Sequence, residues 1–299
     1  MASVEQIVQL LGHRVQAVHG DPSASIVGFT PSLPGRSGHA SFVTGRDQDA
    51  ARVIGTSSST AFLAPPATWT PDLTPGKTVI EVAKPRLEFA RVAQELFPVA
   101  EHPTSSGVSP SARVGDGTVI GVGSVIEADA VIGRNTIIGP HVVIRARSII
   151  GDRVRIGPGS VIGEPGFGFE RDEEGRPVRL PHYGRVRIGD DVEIGANTVV
   201  DRGVFTDTTI GAGSKIDSQV LVGHNVVVQD DALVIGGAVL CGGVHVGRGA
   251  WVAPSSTIME KVRIGADSVI GIGATVVRDV PDGNTVMGPH ARPALSMGR

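Results

Sequence analysis

Residues 119–138 read VIGVGSVIEADAVIGRNTII, and a branched aliphatic residue recurs in this stretch at every sixth position. The same spacing extends, with two interruptions, from Val108 to Val276. An α-helix has a hydrophobic period near 3.6 and a half-buried strand a period of two, so neither explains a period of six. A fixed short period is typical of a β-solenoid, whose coils stack on one another. We therefore predict a mainly β fold in which six residues form each side of a triangular coil.

The extent of the period predicts the domain organisation. Residues 1–102 lack it and carry mixed helix and strand patterns, including a capping box of Ser3 with Gln6, which predicts a small α/β domain. Residues 103–283 are predicted to form the β-helix, with roughly eight coils. Residues 284–299 are left as a short C-terminal tail, and the segment 102–107 is the predicted linker.

Two insertions interrupt the period. The segment 163–187 adds about 20 residues between Ile162 and Ile188, and a shorter insertion precedes Ile210. Loops that leave a rigid scaffold often determine specificity, although tolerated surface variation is the alternative. The long loop carries aromatic and imidazole side chains for which we predict contact with substrate, namely Phe167, Phe169 and His182.

Charge and composition exclude several partners. The net charge is −3 without a run of five like charges, so we expect no binding to nucleic acid or to an anionic membrane. The longest apolar runs fall far short of the ~20 residues that span a bilayer. A single cysteine, Cys241, and a first segment unlike a signal peptide favour a cytoplasmic protein. The histidines lack metal-ligand spacing, so we expect no metal and no cofactor.

One histidine stands out by its place in the repeat. His224 follows Val222 at a coil corner, where side chains project outward, and imidazole titrates near neutrality. Gly242 lies 18 residues, one coil, later, so its bare backbone N–H can approach a substrate carbonyl beside the imidazole. We predict His224 as a general base and Gly242 as an oxyanion donor. A surface histidine is the alternative, and His141 above Gly159 shows that the arrangement is not unique.

Several motifs between residues 163 and 227 resemble one family. They are Gly166-Phe-Gly-Phe169, the segment from Gly184 to Ala196, Asp201-Arg-Gly203, Ile216-Asp-Ser-Gln219 and Gly223-His-Asn-Val226. The chain resembles hexapeptide-repeat acyltransferases with a left-handed parallel β-helix. Among these it is most similar to UDP-3-O-(3-hydroxyacyl)glucosamine N-acyltransferases of lipid A synthesis.

The resemblance implies a homotrimer that transfers an acyl group from an acyl-carrier-protein thioester to the amino group of a UDP-sugar. It implies that His224 is the general base and that Gly242 is the oxyanion donor. It also implies that the N-terminal domain binds nucleotide and sugar through Phe42, and that Asn225 contacts substrate.

Three departures from the family leave an alternative function open. Lys261 stands where the family has a second histidine, Gly45 and Gln48 replace two nucleotide-binding residues, and the chain lacks the family's long helical extension. They favour an N-acetyltransferase that uses acetyl-CoA, or another short acyl-CoA, on a different amino-sugar nucleotide. Arg248, Arg263 and Arg278 are candidate contacts for CoA phosphates. A third class, a non-catalytic solenoid, predicts that His224→Ala has no effect. A carbonic-anhydrase-like variant of it needs three metal-binding histidines, for which no set matches.

Overall fold

The computed structural model describes residues 1–45, 49–70, 72, 74–99 and 107–288. Gln48, nearly all of the predicted linker and the tail after residue 288 lie outside this range. The chain divides into two compact units. Met1–Glu101 and Phe167–Tyr183 form the first unit, and His102–Gly166 and Gly184–Arg299 form the second. No helix in the described part of the chain is long and apolar enough to cross a membrane.

A five-stranded sheet forms the centre of the first unit, with one antiparallel pair at its edge and parallel pairing elsewhere. The strands, in order across the sheet, are Val15–His19, Thr78–Val82, Ala61–Ala64, His39–Phe42 and Gly28–Phe29. A second small sheet pairs Ala2–Ser3 with Ser25–Ile26. The helices are Val4–Leu11, Ala50–Thr56 and Pro85–Leu96, with a 3₁₀ turn at Gly12–Arg14.

The capping box predicted at Ser3 and Gln6 is confirmed. The Ser3 hydroxyl accepts the N–H of Gln6 at 3.2 Å, while the Gln6 side chain accepts the N–H of Ser3 at 2.8 Å. Pro85 begins the last helix, as expected for a residue without an N–H to satisfy. The strand Val15–His19 and the helix Ala50–Thr56 were not predicted, because neither carries a strong periodic pattern.

Part of the long loop packs with the first unit, whereas the whole loop was predicted to belong to the β-helix domain. It forms a hairpin of Phe169–Arg171 with Pro177–Arg179. The Tyr183 hydroxyl donates to the carbonyl of Phe97 at 2.8 Å, and ion pairs join Arg91 to Glu173 and Arg86 to Glu170. A repeat pattern shows where a loop leaves a coil but not what the loop packs against.

The second unit is a parallel β-helix with three faces. Face 1 contains Gly107–Val108, Val125–Ile126, Val143–Ile144, Val161–Pro165, Val199–Arg202, Leu221–Val222, Val239–Leu240, Thr257–Ile258 and Thr275–Val276. Face 2 contains Arg113–Val114, Val131–Ile132, Ile149–Ile150, Val186–Ile188, Thr208–Ile210, Val227–Val228, His245–Val246 and Arg263–Ile264. Face 3 contains Val119–Ile120, Ile137–Ile138, Arg155–Ile156, Glu193–Ile194, Lys215–Ile216, Leu233–Val234, Trp251–Val252, Val269–Ile270 and Thr285–Val286. The predicted fold class, a left-handed parallel β-helix with a small N-terminal α/β domain, is confirmed.

The stacking of coils explains the six-residue period. The recurring aliphatic residue of each side points inward and is buried along most of the β-helix. A second buried position lies two residues earlier and holds small side chains. Ser160 is one of these: its hydroxyl donates to the carbonyl of Gly195 at 2.7 Å and accepts the N–H of Thr198 at 3.1 Å. Two of every six side chains therefore fill the interior, and their hydroxyls join successive coils.

In the described residues, faces 1 and 3 have nine strands and face 2 has eight, where roughly eight coils were predicted. The difference lies at the C-terminal end. Thr285–Val286 pairs with Val269–Ile270, so the last coil reaches into the segment 284–299 that was predicted as a tail.

Candidate active site

One corner of the β-helix carries both insertions and the predicted catalytic pair. This corner, here called the active corner, joins face 1 to face 2 at 163–166, 201–207, 223–225 and 241–243. The long loop leaves it after Val161–Pro165, and the short insertion leaves it after Val199–Arg202. Since the coils stack in register, these four segments lie one above another along the β-helix.

His224 lies directly on Gly242. A Cβ added to Gly242 would lie 2.6 Å from both Cε1 and Nε2 of the imidazole, so no larger residue fits beneath the ring in this position. Gly166 is close to the other side: its Cβ would lie 3.1 Å from Cδ2 of the same ring. The structure thus brings His224 and Gly242 together as the 18-residue spacing predicted, and two glycines provide the space that the imidazole occupies.

Asn225 determines which nitrogen of His224 carries the proton. The Asn225 amide nitrogen donates to the carbonyl and hydroxyl oxygens of Thr206, at 3.1 and 2.8 Å, while its Oδ1 accepts the N–H of Val204 at 3.0 Å. These partners fix the orientation of the amide. Oδ1 therefore faces Nδ1 of His224, at 3.1 Å, and only a protonated Nδ1 can donate to it. In a neutral imidazole Nε2 is then the nitrogen without a proton, and it lies on the Gly242 side.

These bonds give Asn225 a clear structural task. Its side chain holds the short insertion and orients His224, and its left-handed backbone (φ 60°) forms the corner itself. The predicted contact between Asn225 and substrate stays a prediction.

The backbone N–H of Gly242 donates no hydrogen bond to any described residue. At several other corners, such as those of Arg134, Ala212 and Arg248, the equivalent N–H is bonded to a side-chain oxygen of an adjacent coil. On the active corner itself, Ala146 donates to Glu127 at 2.9 Å. Glu127 lies 19 residues before Ala146. The residue at the same distance before Gly242 is Gly223, which has no side chain. A glycine in the preceding coil thus leaves the Gly242 N–H available to a ligand.

Asp201 is a site residue that was not predicted, although it lies in the motif Asp201-Arg-Gly203. It lies one coil before His224, and its Oδ2 would be 3.2 Å from a Cβ on Gly166. In the sheet Asp201 pairs with Glu164 of the preceding coil. Burial, together with the negative charge of Glu164, raises the pKa of the Asp201 carboxyl to about 6. The available signal was position: an acidic residue directly follows the inward aliphatic Val200, at a place where this repeat often has glycine.

The remaining predicted site residues lie in the first unit. Phe42 is half-buried and stacks on Phe89, with ring centroids 5.0 Å apart. Phe167 is 86% exposed and contacts Phe169, whose ring also lies under the Arg179 guanidinium. His182 is buried, with Nδ1 3.0 Å from the carbonyl of Leu180, and so presents little surface to a ligand. Their contacts with substrate stay predictions.

Lys261 and Arg248, two cations singled out in the sequence, have different surroundings. The side chain of Lys261 packs over Gly243, and the backbone N–H of Lys261 donates to the carbonyl of Gly242 at 3.0 Å. Arg248, a candidate for CoA phosphates, instead pairs with Asp230 at 2.7 Å and with Asp231 at 3.7 Å. Within the described residues, no group of three His, Cys, Asp or Glu side chains is arranged to hold a metal ion.

Parts of the chain are similar to known proteins. The model of the bacterial transferase hexapeptide (six repeats) matches residues 111–146 and 129–164. The UDP-3-O-acylglucosamine N-acyltransferase of Methylorubrum extorquens is 38% identical over 141 residues, 47% of this chain and 40% of that protein. The enzyme of that name from Coxiella burnetii is 52% identical over 86 residues, 29% of this chain and 24% of that protein. The chain therefore matches less than half the length of these relatives.

Among solved structures, the UDP-N-acetylglucosamine acyltransferase of Francisella novicida superposes with a TM-score of 0.55 at 27% identity. The superposition covers 60% of this chain and 64% of that one. Residues 111–164 thus match the hexapeptide repeat of bacterial transferases, and the chain is similar in part to UDP-3-O-acylglucosamine N-acyltransferases.

Proposed function

We propose that this protein is an acyltransferase that moves a 3-hydroxyacyl group from an acyl-carrier-protein thioester to the amino group of a UDP-amino sugar. The proposal rests on one observation, the position of His224 beside Gly242 on the active corner. An imidazole whose Nδ1 faces Asn225 Oδ1 lies beside a backbone N–H that has no acceptor among the described residues. The names of the relatives support the acceptor class.

The reaction needs a base and an electrostatic partner for an oxyanion. As the amine attacks the thioester carbonyl, His224 Nε2 takes a proton from its nitrogen, and a C–N bond forms. The N–H of Gly242 stabilises the negative charge that develops on the carbonyl oxygen. The tetrahedral intermediate collapses with cleavage of the C–S bond, and His224 returns the proton to the departing thiolate. No metal, cofactor or covalent enzyme intermediate is required.

The role of Asn225 follows from this cycle. When His224 becomes an imidazolium, both ring nitrogens are donors, and Asn225 Oδ1 already accepts the bond from Nδ1. The ring therefore keeps its orientation through proton gain and loss.

We propose a homotrimer as the working assembly. The outward side chains of face 1 form a row of aliphatic residues that is only half-buried within one chain, comprising Val125, Val143, Val161, Val199, Leu221 and Val239. A continuous apolar row of this kind marks an interaction surface. It borders the active corner, so a neighbouring subunit on this row would help to enclose the acyl group.

The first unit is proposed to hold the nucleotide sugar, with Phe42 and the exposed ring of Phe167 as its contacts. An aromatic ring that is largely in water gains from stacking on a base or covering an acyl chain.

The second candidate function keeps the same base but uses acetyl-CoA or another short acyl-CoA. Lys261 favours it, because this cation lies on the active corner one coil beyond Gly242, on the side away from Asp201. A cation there suits the phosphates of a CoA donor.

The test is mass spectrometry of UDP-amino sugars incubated with 3-hydroxyacyl carrier protein and with acetyl-CoA in parallel. The proposal predicts a product heavier by one 3-hydroxyacyl group from the carrier-protein donor, and no such product with the His224→Ala variant. Acetylated product alone supports the second candidate. Absence of product with every donor and acceptor contradicts both.

A further inference from the structure

The active corner contains the carboxylate of Asp201, which takes no part in the proposed acyl transfer as described so far. Asp201 and His224 both approach the point that a Cβ of Gly166 would occupy, to 3.2 Å for Oδ2 and 3.1 Å for Cδ2. They lie on consecutive coils of one corner, so the imidazole and the carboxylate border the same space.

Within the described part of the second unit, the Asp201 carboxylate has no compensating partner. No described residue donates a hydrogen bond to it or forms an ion pair with it, and the carboxylate of Glu164 beside it is a like charge. Glu164 itself pairs with Arg145 at 3.4 Å. On the following coil, Gly223 offers no side chain. A half-buried, unpaired carboxylate is costly for the fold unless a cation compensates it during function.

The proposed acceptor supplies such a cation. An amine flanked by electron-withdrawing groups titrates near pH 8, so it is mostly an ammonium ion at neutral pH. An ammonium ion is not a nucleophile, and two of its protons must leave before the amide is complete. His224 accounts for only one of them.

We infer that Asp201 is a further catalytic residue of the proposed acyl transfer: its carboxylate binds the acceptor ammonium and takes the first proton, and His224 takes the second. The inference rests on the proposed function. In the first step an N–H bond breaks and an O–H bond forms on Asp201, which leaves a neutral amine beside the thioester. The C–N bond then forms as His224 removes the second proton, and that proton leaves on the thiol. Asp201 returns its own proton to water after the product departs.

The titration of Asp201 fits this task. Its pKa is raised to about 6 by burial and by Glu164, so it is mostly ionised at pH 7 yet accepts a proton more readily than an ordinary aspartate. The titratable groups facing it are Glu164 on the preceding coil and His224 on the next.

The decisive variant is Asp201→Asn, which keeps the shape and removes the charge. We expect kcat/KM at pH 7 to fall at least ~100-fold. The loss should shrink by about tenfold at pH 9, where the acceptor is a neutral amine in solution. Binding of the amino acceptor should weaken, while an acceptor analogue with a hydroxyl in place of the amine should bind both forms equally. If Asp201 had only a structural role, the variant would weaken the binding of both ligands equally.

Asp217→Asn is the matched control, since it makes the same change at the equivalent place of another corner, where the carboxylate accepts the N–H of Gly236, and we expect its rate to stay within about threefold of the unmodified protein. The thermal midpoint of Asp201→Asn at pH 7 reports on folding and should not fall. Unchanged kcat/KM, equal weakening of both ligands, or a loss independent of pH would each overturn the role of Asp201 while the proposed function stands. Absence of transfer to any amino sugar by the unmodified protein would overturn both.

Discussion

At the scale of single residues, the site depends on glycines, because the lack of a side chain leaves space for other groups. Gly242 leaves room for the imidazole of His224, Gly166 leaves room on its other side, and Gly223 leaves the Gly242 N–H without a bond. The coils would stack equally well with larger residues at such corners, as Ala146 and Ala196 show. The glycines of the active corner are therefore best explained by a ligand that approaches the backbone.

The first prediction concerns Gly242→Ala. The new Cβ would lie 2.6 Å from Cε1 and Nε2 of His224, so the ring must turn away from its bond with Asn225. We expect kcat to fall by about 100-fold or more in a steady-state assay, with little change in the thermal midpoint.

The matched control is Gly236→Ala, at the equivalent place of another corner. There the nearest atom to the new Cβ is Oδ2 of Asp217 at 3.1 Å, and no catalytic group is near. Its rate should stay within about threefold of the parent. Equal losses in the two variants would contradict a specific role for Gly242.

The second prediction is a pH dependence of stability at Asp201. Its folded-state pKa is raised to about 6 from 3.8, so between these values the folded protein binds a proton that the unfolded chain has lost. Stability therefore falls as pH rises through this window and stays reduced above it. Because the carboxylate keeps part of its surface in water, the penalty is on the order of 1 kcal/mol.

Asp201→Asn removes this penalty. We expect the variant to exceed the parent in free energy of unfolding by about 1 kcal/mol at pH 7.5, and to match it near pH 3.5, in urea titrations. A difference of the same size at both pH values would show that the carboxylate is not the cause.

At the scale of elements, each short strand has one inward and one outward residue. The third prediction uses Ile137 and Ile138, which are neighbours on face 3 with exposed fractions of 41% and 1%. Ile138→Ala leaves a cavity in the aliphatic stack and should cost ~2–5 kcal/mol in free energy of unfolding, measured by guanidinium denaturation. Ile137→Ala makes the same chemical change on the surface and should cost less than ~1 kcal/mol. Similar costs would contradict the inward stack.

The six-residue period was sufficient to predict the elements of the second unit, because one packing rule repeats at every side. It predicted the inward aliphatics, the two insertions and the juxtaposition of His224 with Gly242. It did not predict the hairpin in the long loop, since Phe169–Arg171 and Pro177–Arg179 pack by contacts that are distant in sequence. Asp201 was missed for a related reason: its environment depends on Glu164 and Gly166, which an insertion separates from it in the chain.

At the scale of the whole molecule, the aliphatic row on face 1 is the clearest sign of assembly. The fourth prediction compares Leu221→Asp on this row with Val269→Asp on face 3. The two parent side chains are 39% and 38% exposed, so the substitutions are alike within one chain. A charge on a subunit interface is strongly unfavourable, so Leu221→Asp should shift the mass in light scattering from trimer toward monomer. Val269→Asp should leave a trimer. A monomeric parent, or dissociation by both variants, would contradict the proposed interface.

The central claim is that His224 is the base of an acyl transfer on the active corner, and the single-turnover rate of N-acylation tests it most directly. The rate constant is measured for the parent and for His224→Ala at saturating donor and acceptor, so that binding and product release do not contribute. The account predicts a fall of ~10²–10⁴-fold, as for the loss of a general base. A rate constant for His224→Ala within about threefold of the parent would contradict it.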